Sequence, residues 1–441
     1  MNRLKKLMIA VVLLITQSAI SQEFSLFEAQ TFALENAEQI QRSELDLETA
    51  KKQVVETRAT GLPQINSETT FQQFLNLPTQ VVDGALMGQP GTTVEFTAGQ
   101  EFNTNAGISA NQLIFNGSYI VALQVSKFYT EFVATNIKKS EQDVLSNVTQ
   151  AYQMALISKR NKQFVDTLVE VTENLINKQK ELFEVGFITQ EEVDQTEFSL
   201  LSTKANLTAA ETAYENALLM LKMTMAYPLN KEITLTEDLD KMLLTQEKDI
   251  SGSYQNNLEL DILKKQRQIS EYDLKNVKMS NYPQLSAFFN HQYQAYRNEF
   301  NFFNPDERWY NQTVWGIKLT IPIFAGGERW AKIQKAKIKV KQDELNIQEF
   351  ERSLSMQETQ LRNELNSARI NLQLQKKNVE LASKIHDNSM IKAEIGKENS
   401  IVVTQKYNQL VQAQSNYVNA MVEVFNKKLE LDKLYNKLIR K

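Results

Sequence analysis

Apolar positions repeat with a seven-residue period in two long stretches of the chain. Leu200, Leu207, Tyr214 and Leu221 mark the first, with small Thr203, Ala210 and Ala217 interleaved; Leu410, Tyr417, Val424 and Leu431 mark the second, with Ala413 and Ala420 interleaved. A heptad that alternates large and small seam residues lets helices approach closely and supercoil left-handedly. A single amphipathic helix on a globular core would show the period, but not its return in the same register later in the chain. Helices are predicted over about Leu26–Thr60, Ser118–Glu184, Gln190–Ala226 and Asn257–Met279, with a final antiparallel pair turning near Gly396. The 118–184 segment would span roughly 100 Å at 1.5 Å per residue.

Elsewhere the period drops to two. Phe102, Thr104, Ala106, Ile108 and Ala110 share one face, and Asn103, Asn105, Ser109 and Asn111 the other. Trp315, Ile317, Leu319, Ile321 and Ile323 likewise oppose Gly316, Lys318 and Thr320. Strands are predicted at about 64–75, 100–115, 284–296 and 312–324. One apolar face backed by amides, hydroxyls and a lysine matches a membrane β-barrel strand with a wet lumen. The lumen-facing candidates are Asn103, Asn105, Ser109, Asn111, Lys318 and Thr320. Tyr282, Trp309, Tyr310 and Trp315 cluster near the predicted strand ends, where interfacial aromatics sit. A half-buried sheet in a soluble domain alternates in the same way. If the strands are in lipid, however, four cannot enclose a lumen, because small closed barrels need about eight. Open edges are not tolerated in the bilayer either, so such a barrel has to be shared between chains.

The elements occur twice. Leu62-Pro63-Gln64-Ile65 returns as Tyr282-Pro283-Gln284-Leu285, Ile114-Phe115-Asn116-Gly117 as Ile323-Phe324-Ala325-Gly326, and the Val185-Gly186 turn as Ile395-Gly396. The last two offsets agree at about 210 positions, while the first is longer, as an extra loop over Asn76–Gly99 would make it. The expected organisation is a segment 1–21, a first repeat 22–226, a connector 227–255 and a second repeat 256–441.

Composition adds three constraints. With 13 glycines and 7 prolines in 441 residues, the chain is poor in punctuating residues, which favours long elements. Arg3, Lys5 and Lys6, the apolar run Leu7–Ile15, and Ala19 and Ser21 before Gln22 read as a signal peptide for export. That run is too short for a spanning helix, which needs about 20 residues. Cleavage would move the formal net charge from -4 to about −7, giving no pull toward nucleic acid. With no cysteine, neither a disulfide nor a lipobox is possible.

Together these features resemble the TolC-like outer membrane efflux protein family over about Phe24 to Leu434. The most specific residues are Leu62-Pro63-Gln64-Ile65, Ile114-Phe115-Asn116-Gly117, and Phe183-Glu184-Val185-Gly186 with Thr189 and Glu192. The resemblance implies a mainly α fold with a membrane β-barrel portion. In it a duplicated helix–strand–strand–helical-hairpin unit forms a homotrimeric, twelve-stranded barrel, continued by an α-helical barrel across the periplasm, with the 227–253 region in an equatorial belt. It implies a passive conduit for efflux or type I secretion, in the outer membrane, working with an inner-membrane transporter through a periplasmic adaptor (membrane fusion) protein. Adaptor contact is implied at the hairpin tips, Val185, Gly186, Thr189, Glu192, Ile395 and Gly396. At the periplasmic aperture, family members commonly carry acidic residues; here the matching positions are Val402 and Gln405, or Val403 and Lys406 with one residue of slip, so an acidic gate is not expected in either register.

The chain offers little for catalysis. His291 and His386 are the only histidines, and no cysteine accompanies them, so the usual zinc ligands are missing. Gly326-Gly327 lacks the Lys-Ser/Thr of a phosphate loop. Neither an enzyme nor a cofactor or metal site is expected. The competing reading is a periplasmic coiled-coil adaptor or structural envelope protein, although an adaptor would normally carry one helical hairpin and compact β-domains.

Overall fold

The computed structural model describes residues 22–88, 90–246 and 251–439. The signal-peptide segment 1–21 lies outside the described residues. By Cα packing the described residues divide into two units, each drawing on both halves of the sequence: those within 48–131 and 266–344, and those within 22–47, 132–265 and 345–439.

The first of these units holds a four-stranded antiparallel sheet. Its strands are β2 (Gln64–Gln73), β5 (Phe102–Phe115), β7 (Gln284–Arg297) and β8 (Tyr310–Thr320), in the order β2-β5-β7-β8. The central contact, β5 with β7, joins strands almost two hundred residues apart in sequence. The outer strands β2 and β8 each leave one edge unpaired. A separate small hairpin, β3 (Thr79–Asp83) with β4 (Thr93–Thr97), occupies the Asn76–Gly99 insertion.

Strand limits differ from the sequence expectation in two places. Alternation in Ile321 and Ile323 suggested a strand to residue 324, but β8 stops at Thr320, because Pro322 has no N–H for the ladder. Since β8 also begins earlier, at Tyr310, Trp315 falls in mid-strand and not at an end, a correction to the aromatic-belt reading. In β5 a register shift between Leu113 and Phe115 leaves Ile114 unpaired, a bulge at the approach to the next helix.

The second unit is built on long helices: all of α4 (Gln190–Thr224, 35 residues) and α8 (Ser400–Leu434, 35 residues), and the larger parts of α3 (Gly117–Glu184, 68 residues) and α7 (Glu328–Glu394, 67 residues). The heptad residues do pack. Thr203, Leu221 and Leu431 are fully buried, and Ala210, Leu410, Ala420 and Val424 nearly so. The main core joins Leu221, Ala420, Val424 and Leu431 to Phe24, Tyr152, Met225, Leu260, Leu365, Met421 and Phe425, while Leu410 packs in a separate cluster with Leu168 and Tyr407. Burial pushes the Tyr152 hydroxyl up to about 12, and that hydroxyl donates to the Phe24 carbonyl at 2.9 Å.

That bond anchors a small parallel pair, β1 (Gln22–Phe24) with β6 (Ile233–Leu235). The expected helix 26–60 is two helices, α1 (Leu26–Asn36) and α2 (Glu38–Ala59). They part at Ala37, whose ψ of 126° is extended. The start of α1 is a capping box: the Glu28 amide donates to Ser25 Oγ at 3.3 Å, and the Ser25 amide donates to Glu28 Oε2 at 2.8 Å. The connector adds α5 (Leu239–Gln246), and the second half resumes with α6 (Leu258–Met279).

Candidate channel wall and hairpin tips

Register divides the sheet into two faces. Rows read across β2-β5-β7-β8 run Asn66–Ser109–Asn290–Val314, Glu68–Gly107–Gln292–Gln312 and Thr70–Asn105–Gln294–Tyr310 on one face. The opposite face carries Ile65–Ala110–Phe289–Trp315 and Ser67–Ile108–His291–Thr313. The six residues singled out as lumen-facing, Asn103, Asn105, Ser109, Asn111, Lys318 and Thr320, all lie on the first face. Side-chain amides link it laterally: Asn105 Nδ2 donates to Gln292 Oε1 at 3.3 Å, and Gln292 Nε2 donates to Gln312 Oε1 at 2.9 Å. Leu113, Phe288 and Val314 interrupt this polar company, and the Phe288 ring lies over Gly316, where a Cβ would sit 2.9 Å from the ring. Sequence reasoning missed Glu68, Asn290, Gln292 and Gln312, although period-two alternation through 286–294 carried the signal.

The hairpin tips are built by paired capping devices. At the end of α3 the Phe187 amide donates to the Leu182 carbonyl and the Gly186 amide to the Phe183 carbonyl, both at 2.9 Å. At the end of α7 the Lys397 amide donates to the Lys392 carbonyl at 2.8 Å and the Gly396 amide to the Ala393 carbonyl at 3.0 Å. Both are Schellman motifs, which need a left-handed residue; Gly186 (φ 79°) and Gly396 (φ 67°) provide it. Thr189 caps α4 in a second capping box, its amide donating to Glu192 Oε2 at 3.1 Å while the Glu192 amide donates to Thr189 Oγ1 at 3.3 Å. In α8 the cap is Asn399, whose Oδ1 accepts from the Ile401 amide at 2.8 Å, and Val402 occupies the place of Glu192. Val185, Phe187 and Ile395 are exposed. Val402 is half-buried and Gln405 exposed.

Behind the tips the two hairpins meet in a polar seam. Thr203 Oγ1 of α4 lies 2.9 Å from the Tyr407 hydroxyl of α8 and 2.8 Å from the Ser199 carbonyl, all buried. One threonine proton cannot serve both acceptors. With that proton on the carbonyl, the Tyr407 hydroxyl donates to Oγ1. Beside Tyr407 lies His386 of α7, 2% exposed, its ring centroid 6.2 Å from the tyrosine ring. Burial holds its pKa below the ordinary histidine value, against the opposing pull of Asp387. The Asp387 carboxylate lies 3.5 Å from Nδ1 without hydrogen-bonding it, so the buried Nδ1 has no hydrogen-bond partner.

No group of three or more metal-ligating side chains occurs among the described residues, and no described helix is long and apolar enough to cross a membrane. A family model described as "Outer membrane efflux protein" matches residues 31–225 and 250–437. The chain belongs to the outer membrane efflux protein family. No curated protein matches it in sequence.

Solved structures of this architecture superpose on this efflux protein over almost its whole length. The CusC structure, described for conformational changes accompanying folding and transmembrane channel formation, matches with a TM-score of 0.72 at 14% identity, covering 94% of this chain and 91% of CusC. The CmeC outer membrane channel of Campylobacter jejuni matches at 0.63 and 17% identity, over 94% of this chain and 84% of that one. The MtrE outer membrane channel of Neisseria gonorrhoeae in its open state matches at 0.67 and 13% identity, over 94% and 90%. At these identities the likeness speaks to fold. With the family match, it makes the protein the outer-membrane channel component of an efflux system. The fold is that of passive channels.

Proposed function

We propose that three copies of the chain form one conduit. The observation that carries this reading is the open sheet: four strands with two unpaired edges, one largely apolar face and one amide-rich face. In lipid, the edges of β2 and β8 must find partners, and the same two edges on neighbouring copies supply them. Three sheets give twelve strands, with Asn103, Asn105, Ser109, Asn111, Lys318 and Thr320 turned to the lumen and Ile108, Trp315, Ile317 and Leu319 to lipid. Export by a cleaved signal peptide would deliver the chain to the envelope.

The exposed tips at Val185, Gly186, Thr189, Glu192, Ile395 and Gly396 would then receive a periplasmic adaptor, which couples the conduit to an inner-membrane transporter. Val402 and Gln405 would line the periplasmic aperture, where closure rests on packing and not on a ring of carboxylates.

Two measurements test this. The purified protein, run unboiled on a denaturing gel, should migrate as a trimer that heat converts to monomer; a boil-insensitive monomer would sink the shared barrel. Replacing Gly186 with valine should abolish export while leaving the heat-sensitive trimer in the outer membrane. Undiminished export would remove the tip from the docking role.

A further inference from the structure

The polar sheet face is almost devoid of charge. Along β2, β5, β7 and β8 it carries amides, hydroxyls, aromatics, small residues and the aliphatic Leu113 and Val314, and only two charged side chains, Glu68 and Lys318. Lys318 pairs with Ser286, six residues along β8 from Gln312, which lies in the Glu68 row. At about 3.3 Å per residue the two charges are roughly 20 Å apart along the strands, some two Debye lengths at physiological salt. Within one chain each therefore acts on its own surroundings, and no ion pair among the described residues engages Glu68.

Glu68 also stands beside a built concavity. Its cross-strand neighbour is Gly107, where a Cβ would come 2.9 Å from Gln292 Cβ and 3.0 Å from the His291 carbonyl oxygen. The missing side chain opens a pit of about 360 Å³ whose walls include Glu68, Asn105, Ser109, Asn290, Gln292 and Gln312. The amide relay across this wall runs away from Asn105, leaving its Oδ1 buried with no partner. An unpaired acceptor adds negative potential to that of the carboxylate, and no ionised donor opposes them.

We propose that this pit is a subsite for a monovalent cation, either an alkali ion or an ammonium group. Glu68 supplies the charge and the Asn105 carbonyl dipole supports it, so the barrel wall itself favours cations. The inference rests on the polar face lining the lumen. With no carboxylate at Val402 or Gln405, the first fixed negative charge inside the sheet region is then this one.

The test is selectivity of the full-length protein in planar bilayers, read as reversal potential across a salt gradient, in KCl and in methylammonium chloride. Wild type should prefer cation over anion. Glu68→Gln should lower that preference several-fold, Glu68→Asp should largely retain it, and Lys318→Gln should not lower it. A fall in both salts, or in one, supports the subsite and identifies the cation it takes; no fall in either overturns it.

Because the chain has no cysteine, Ser109→Cys and Ile108→Cys can check the premise separately with a membrane-impermeant thiol reagent. Reaction at residue 109 but not at 108 keeps the lumen reading, whatever Glu68→Gln does. Reaction at 108 and not at 109 overturns that reading, and the subsite with it.

Discussion

The bond between Thr203 and Tyr407 makes a prediction about which half of a pair matters more. Both residues are buried, at 0% and 5% exposure, and they join the first helical hairpin to the second. Tyr407→Phe removes a donor but leaves Thr203 Oγ1 still bonded to the Ser199 carbonyl at 2.8 Å. Nothing is orphaned, so the loss is that of one net hydrogen bond, about 1 kcal/mol. Thr203→Val is nearly isosteric, yet it strands the tyrosine hydroxyl in the seam without an acceptor, which costs about 1–3 kcal/mol. In the double variant both polar groups are gone, so it should be more stable than Thr203→Val alone. The assay is guanidinium unfolding of the detergent-solubilised protein, followed by helical circular dichroism. The reasoning fails if Tyr407→Phe costs as much as Thr203→Val, or if the double variant is the least stable of the three.

Other expectations can be checked on the same preparation. His386 has its pKa lowered by burial, so the folded state binds a proton less readily than the unfolded chain, whose histidine titrates near 6.5. Stability should be flat above that pH and fall as the pH drops below it; His386→Leu should remove this component of the acid sensitivity, read as melting temperature against pH. Ala226 closes α4 with a φ of 56°, a left-handed conformation that costs a non-glycine residue about 1 kcal/mol. Ala226→Gly should therefore stabilise by about that amount, whereas Gly186→Ala and Gly396→Ala should destabilise comparably although space surrounds both positions. Thr189→Ala and Asn399→Ala should each cost about 1 kcal/mol of helix-end stability, visible as faster amide exchange in the first turns of α4 and α8.

Much of this architecture is legible in the chain because it rests on local rules. The expected helix 190–226 matches α4 within two residues, the final pair turns at Gly396 as expected, and Gly186 and Gly396 mark helix ends because a Schellman turn asks for a left-handed residue. What stayed hidden depends on partners distant in sequence, or on residues that carry no local signal. Ala226 and Asn436 close α4 and α8 by the same bond pattern as the glycines, with φ of 56° and 55°, yet alanine in particular gives no hint of it. Ala37 breaks the first helix without Gly or Pro nearby. The β1–β6 pair joins two three-residue strands more than two hundred positions apart. The candidate channel wall was half visible: alternation in β5 and β8 found six of its residues. The row through Glu68, Gln292 and Gln312 emerges only once β5 is seen to pair with β7 across the two halves of the chain.

The two tips also show how a residue pattern can suggest more function than it carries. Glu192 follows Gly186 and has no acidic counterpart in the second hairpin, which at first reads as a charge retained for a partner. In the structure, its carboxylate is committed to the Thr189 amide, and the second hairpin performs the same capping with Asn399 and no acid. The charge is thus explained by the helix start alone, and its absence at Val402 removes nothing the fold needs. A docking role can then also rest on what capping leaves over: Val185, Phe187 and Ile395, apolar and exposed. Glu192→Gln separates the two accounts, since glutamine preserves the capping box while removing the charge. Export at the wild-type level in that variant, together with its loss in Phe187→Ser, would assign recognition to the apolar tip. The reverse pattern would return it to the carboxylate.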